Sequence, residues 1–195
     1  MLSDLIKTKQ LDIRFVSNSR KRSEEYLYAG KADMMLISPR WLSQPEKLIT
    51  TLPLHQHRSF LYKTTKFISS FSLTDNKDRK KVCTRKGFNY PNLDPYFLNN
   101  QLIRIDSSSQ TTTLSMLFKQ RCDLVILSEY HALSIMKTPL FKNKQLFRSD
   151  QPISVVPLNI VLRPELIQVK KLLDNHIEAL VRTGELKNII NSYIQ

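Results

Sequence analysis

Two short apolar runs, Met34-Met35-Leu36-Ile37 and Leu124-Val125-Ile126-Leu127, stand out in the hydrophobic pattern. Neither is long enough for a helix and neither alternates, so each predicts a strand covered on both faces. They sit in matching frames. Gly30-Lys31-Ala32-Asp33 leads into the first, which ends at Ser38. Gln120-Arg121-Cys122-Asp123 leads into the second, which ends at Ser128. Leu27-Tyr28 and Leu117-Phe118 precede the two Asp residues at the same spacing, and those Asp residues lie 90 positions apart. Solenoid repeats are roughly 20–50 residues long, so this offset predicts two similar α/β lobes instead.

The remaining pattern fills in elements around these strands. Leu2, Leu5 and Ile6 share one helical face, predicting a helix over 2–10. Alternation over 11–16 predicts a strand. A helix over 23–29, with Ser23 as its N-cap, stops at Gly30. Residues 39–52 are irregular, 57–63 form a strand, and the polar stretch 69–79 is the linker candidate. Strands follow over 81–84, 102–105 and 123–128, with a short helix at 96–100. Asp106-Ser107-Ser108-Ser109-Gln110 opens a helix to Lys119, with several N-caps available. Residues 129–136 are helical. An extended pair, 153–156 and 158–162, is interrupted by Pro157. Helices over 164–182 and 184–193 close the chain, the first with Leu166, Val169, Leu172, Leu173, Ile177 and Leu180 on one face.

Composition narrows the class. The 195 residues are 41% hydrophobic, enough for a core. Three glycines argue against Gly-rich phosphate loops. The net charge of +13 admits nucleic acid, anionic lipid or an acidic ligand as partners. The basic residues are dispersed, however. The densest groups, Arg20-Lys21-Arg22 and Lys77-Asp78-Arg79-Lys80-Lys81, lack interleaved aromatics and read as solvated faces. No apolar run approaches the roughly 20 residues that span a bilayer. No signal peptide follows Met1, which implies a cytoplasmic protein if Met1 is the natural start. Cys83 and Cys122 lack metal-ligand spacing and read as buried free thiols; a disulfide requires an oxidising compartment and close Cα atoms. His55, His57, His131 and His176 show no metal spacing either, and no catalytic residue, metal ligand or cofactor is expected.

Several stretches together resemble family 3 of the extracytoplasmic solute-binding proteins, the amino-acid-binding components of ABC importers, and their sensor-domain relatives. Arg22 to Asp33 is similar to the family's helix into Gly-Lys-x-Asp. Gln44-Pro45-Glu46-Lys47, followed by Leu52-Pro53-Leu54, resembles its Thr-Pro-Glu-Arg segment and the Pro beyond it. Val82 to Gly87 resembles the opening strand of the second lobe, Leu114 to Glu129 its Gly-Arg-x-Asp strand, and Pro164 to Tyr193 its closing helices. The resemblance implies a two-lobed periplasmic-binding-protein-like fold of type II. Residues 1–62 and 163–195 would form lobe 1 and residues 63–162 lobe 2. Strands at about 57–63 and 153–162 would serve as hinges. It also implies no enzyme, a periplasmic location, and an ABC permease or a sensor kinase as partner. The family's first strand and Pro-Tyr loop have no counterpart before Met1, so the chain is expected to be truncated, to fill the gap otherwise, or to pair as a homodimer.

In such folds ligands sit beyond the carboxyl ends of strands. That selects Ser38, Pro39, Arg40, Trp41 and Lys47 in lobe 1, and Thr84, Arg85, Lys86, Ser107, Ser108, Ser109, Ser128 and Glu129 in lobe 2. Two departures bear on the ligand. The family's carboxylate-binding Arg falls on Lys47, which cannot offer a bidentate fork. Its ammonium-binding Asp falls on Ser128, with Glu129 one residue on. A small, anionic or carboxylate-bearing solute, amino-acid-like in size, is the expected ligand of an interlobe cleft, for import or sensing. The rivals are a degenerate domain acting through a protein partner or a homodimer, and a basic cytoplasmic regulator associated with nucleic acid. The second lacks a helix-turn-helix, so nucleic acid is not the expected partner.

Overall fold

The computed structural model describes residues 11–68, 73 and 79–192. The helix expected over 2–10 and most of the expected linker over 69–79 lie outside them. In chain order the elements are α1 (Arg20–Tyr28), β1 (Met34–Ile37), β2 (Ile49–Thr50), β3 (His55–Lys63), β4 (Lys80–Arg85), α2 (Asp94–Leu98), β5 (Leu102–Ser107), α3 (Gln110–Phe118), β6 (Leu124–Ser128), α4 (Glu129–Met136), β7 (Phe147–Arg148), β8 (Ser154–Leu162), α5 (Ile167–Arg182) and α6 (Glu185–Ser192). Short 3-10 turns cover Pro39–Trp41, Pro45–Lys47 and Pro164–Leu166.

The chain divides into two compact units, Met1–Gln56 with Pro157–Gln195, and His57–Val156. It crosses between them twice, within β3 and within β8. Expected boundaries at 62/63 and 162/163 therefore move six residues earlier. Core packing explains the shift. Phe60, Leu61 and Tyr62 are buried in the second unit's core, whereas Ile160, Val161 and Leu162 are buried in the first unit's. Each apolar run belongs where it loses its water.

In unit 1, β8 is antiparallel to β1, with Met34 opposite Leu162 and Ile37 opposite Asn159. The two residues of β2 also pair with β8. Leu173 of α5 packs on this sheet with Ile160 and Leu162, and Leu27 of α1 packs with Ile37 and Val161. Helix α1 begins three residues earlier than expected, because Ser19 rather than Ser23 caps it, accepting a hydrogen bond from the Arg22 amide at 3.4 Å. Gly30 then ends the helix at φ +69°, where a Cβ would lie 3.3 Å from Arg163 Nη1. Residues 11–16 form no strand. Phe15 and Val16 are 72% and 68% exposed, and alternation without a partner strand gives the backbone no ladder.

In unit 2 the sheet order is β3-β6-β4-β5, with β7 on the other side of β3. β4 is parallel to β5 and β6, while β3 is antiparallel to β6. The parallel strands end at Arg85, Ser107 and Ser128, so those residues lie at one end of the sheet. Pro157 does not break β8, because a proline removes only its own donor and its fixed φ suits an extended chain.

Cys83 and Cys122 are not free thiols: they form a disulfide, with Cα atoms 5.7 Å apart. Cys83 lies within β4 and Cys122 just before β6, its parallel neighbour, and that adjacency supplies the closeness that sequence spacing did not reveal.

Candidate functional site

The carboxyl ends of β4, β5 and β6 gather most of the expected unit 2 residues. Thr84 and Arg85 face Asp106 and Ser107 across the β4–β5 register. The Thr84 hydroxyl, fully buried, donates to Asp106 Oδ1 at 2.6 Å. Ser107 Oγ donates to the Ser109 carbonyl at 3.0 Å and also meets Thr113 Oγ1. Ser109 Oγ caps α3, accepting from the Thr112 amide at 2.9 Å. Ser128 Oγ caps α4, accepting from the His131 amide at 3.3 Å, and lies 2.8 Å from His131 Nδ1. The hydroxyls of Thr84, Ser107, Ser109 and Ser128 thus hold the end of the sheet together.

Of the remaining expected residues, Arg85 and Glu129 are partly buried and Lys86 and Ser108 exposed. Among the described residues the Arg85 guanidinium makes no hydrogen bond or ion pair, although its backbone amide donates to Tyr90 Oη at 3.1 Å. Lys86 and Ser108 are exposed beside it. Helix α3 has no acidic residue in its first turn, so its amino end adds positive potential there. Glu129 opens α4 and pairs with Arg148 Nη1 at 3.4 Å.

Four residues of this arrangement were not anticipated. Asp106 reads as part of a helix start, yet β5 extends through it and the cap falls on Ser109. Arg104 binds Asp106 Oδ1 at 3.0 Å and the Phe88 carbonyl at 3.0 Å, lying against the Tyr90 and Phe97 rings. Arg148 lies over Phe60, 4.3 Å from the ring centroid. His131 is bound through Ser128, three residues earlier; partial desolvation of its ring lowers its pKa. Only the Arg104-x-Asp106 alternation carries a signal, since i and i+2 share a strand face.

Desolvation raises the pKa of Asp106, but hydrogen bonds from Thr84 and Arg104, and the charges of Arg104 and Lys86, outweigh it and leave the group below its usual value. Stability from this lowered carboxylate is present above its unfolded pKa and is lost as pH falls through the folded one. Its side chain is 38% exposed, so that stability is small, and the titration itself is the better readout. An NMR titration is expected to place its midpoint below the ordinary aspartate range. Thr84→Val is expected to move it upward; an unmoved midpoint would show that the hydrogen bond does not set it.

Unit 1 disperses its set. Ser38 is fully buried, and its Oγ has no hydrogen-bond partner among the described residues; the same holds for Asn159 Oδ1. Asn159 Nδ2 donates to the Thr51 carbonyl at 2.8 Å, and Thr51 Oγ1 accepts from the Ile160 amide at 3.0 Å. Pro39 is partly buried and Arg40 exposed, while Trp41 packs on the core formed by Leu27, Ile37, Leu42 and Val161. Lys47 lines a separate pocket of about 430 Å³ with Tyr28, Gly30, Gln44, Arg163 and Glu165. That pocket lies towards the amino end of β1, where the Arg163 amide donates to the Asp33 carbonyl, away from Ser38 at the strand's carboxyl end.

Among the described residues no cluster of His, Cys, Asp and Glu is placed to hold a metal ion, and no helix is long and apolar enough to cross a membrane.

No family model and no curated protein sequence matches the chain. Solved structures do. A putative binding component of an ABC transporter from Wolinella succinogenes, complexed with lysine, superposes with a TM-score of 0.80 at 13% identity, over 99% of this chain and 83% of that one. A histidine kinase sensor domain with similarity to periplasmic binding proteins gives 0.77 at 15% identity, over 99% and 83%. An arginine transport periplasmic binding protein from Legionella pneumophila gives 0.75 at 18% identity, over 98% and 86%. These likenesses establish the fold: mixed α/β, of the periplasmic-binding-protein-like kind.

Proposed function

We propose that this chain is a binding protein, not an enzyme, that holds a small anionic or carboxylate-bearing solute of amino-acid size. The carboxyl ends of β4, β5 and β6 in unit 2 supply its anion-binding groups. The observation that carries this reading is the Arg85 guanidinium, which has no hydrogen-bond or ion-pair partner among the described residues and stands beside an α3 amino end without acids. A partly buried guanidinium with a fork of donors favours a carboxylate, and helix-end amides add to that preference.

The solved structures of this fold include ABC transporter components and a histidine kinase sensor domain. Import through an ABC permease or signalling through a sensor kinase are therefore the roles proposed here. The Cys83–Cys122 disulfide favours an oxidising compartment, which supports a periplasmic location.

Isothermal titration against small carboxylates tests the reading. Arg85→Ala is expected to weaken the best of them by about 10–100-fold, since a charge-assisted hydrogen bond contributes roughly 1.5–3 kcal/mol. Unchanged affinity in a folded Arg85→Ala protein would remove Arg85 from the site.

A further inference from the structure

An α-amino acid carries an ammonium that must meet an anion when it leaves water, because an unpaired charge there is costly. The end of the unit 2 sheet that bears Arg85 offers two carboxylates for that purpose, Asp106 and Glu129. Both are already occupied. Asp106 Oδ1 takes the Thr84 hydroxyl at 2.6 Å and Arg104 Nε at 3.0 Å. Arg104 is itself fixed by the Phe88 carbonyl and by the rings of Tyr90 and Phe97. Glu129 takes Arg148, whose guanidinium lies over buried Phe60 and whose backbone pairs with Tyr62 of β3. Each acid is therefore neutralised by an arginine that aromatic and backbone contacts hold in place. Arg85 keeps a guanidinium with no hydrogen bond or ion pair among the described residues, while Lys86 adds positive charge beside Asp106.

We infer that Arg148, held on Phe60 and bound to Glu129, takes the place of a ligand ammonium, so that the solute is a carboxylate without an α-amino group: a keto, hydroxy or dicarboxylic acid. This rests on the proposed solute-binding role and specifies its ligand class. An incoming ammonium must displace Arg148 from Glu129 and then remain close to it, so like-charge repulsion acts against amino acids. A keto or hydroxy group meets no such cost, because the arginine can donate to its oxygen.

Matched pairs read this directly in the full chain: pyruvate against alanine, 2-oxoglutarate against glutamate, and 4-methyl-2-oxopentanoate against leucine, by calorimetry. The wild type is expected to bind the keto member of its preferred pair at least tenfold more tightly. Arg148→Gln frees Glu129 and is expected to narrow or reverse that preference. Arg148→Lys, which keeps the charge, is expected to retain it. Adding Glu129→Gln to Arg148→Gln is expected to abolish the gained amino-acid binding. A wild type that binds the amino member as tightly as the keto member overturns the inference while leaving solute binding intact. Binding of neither member of any pair overturns both. If Arg148→Gln does not fold, the wild-type pair ratios and Arg148→Lys still decide.

Discussion

Removing the Cys83–Cys122 bond is expected to cost unit 2 roughly 2–4 kcal/mol, the usual range for a disulfide closing a loop of this size. The two residues are 39 apart in sequence, and the closed segment contains α2, β5 and α3. In the unfolded chain the bond forbids most separations of β4 from β6, so its loss returns entropy to the unfolded state. In the folded state its sulfurs lie in the core with Leu114, Leu117 and Val125. Cys83 is 0% exposed and Cys122 4%, so reductants reach the bond only through opening of the unit. Cys83→Ala with Cys122→Ala is therefore the cleaner test than added thiol. With about 4–8 °C per kcal/mol for a domain of this size, the unit 2 transition is expected to fall by about 10 °C or more. Unit 1 has its own core and is expected to keep its amide protection against hydrogen exchange. A fall of under 2 °C, or equal loss of protection in both units, would show that the bond does not constrain unit 2.

The disulfide also marks where sequence reasoning stops. The two apolar runs after Asp33 and Asp123 are legible because a buried strand must be apolar on both faces, and no side chain elsewhere alters that requirement. Both became strands, β1 and β6. Pairing of Cys83 with Cys122 depends instead on β4 and β6 lying side by side, a fact of topology that no local pattern carries. The same limit explains the site. Ser107 and Ser128 end their strands and Thr84 lies one residue before the end of its own, yet their hydroxyls are used internally, because a hydroxyl at the end of a sheet must first satisfy its own neighbourhood. Arg148 escaped notice because its partners, Glu129 and Phe60, are brought to it only by β7 lying against β3. Residues 11–16 alternate as a strand should, but alternation specifies a face and not a partner.

Leu162→Ala is expected to destabilise unit 1 by about 2–5 kcal/mol, through lost transfer free energy and the cavity left behind. Leu162 is 0% exposed and pairs with both Met34 of β1 and Ile49 of β2. It therefore lies where both short strands meet β8, and it packs with Ile160 and Leu173. Neither neighbouring strand is long enough to tolerate much loss: β1 has four residues and β2 two. Collapse of the cavity would require α5 to move towards the sheet. Yet Asp174 of that helix accepts a hydrogen bond from the Leu52 amide at 2.7 Å and is bridged by Lys170 at 2.5 Å. That anchoring opposes relaxation, and the cost is expected in the upper half of the range. Leu36→Ala supplies the control, since Leu36 lies on β1 of the same sheet but is 60% exposed; its cost is expected to stay below about 0.5 kcal/mol. Urea unfolding followed by amide exchange in β1, β2 and β8 measures both. Equal costs for the two variants would mean that this strand packing does not stabilise unit 1.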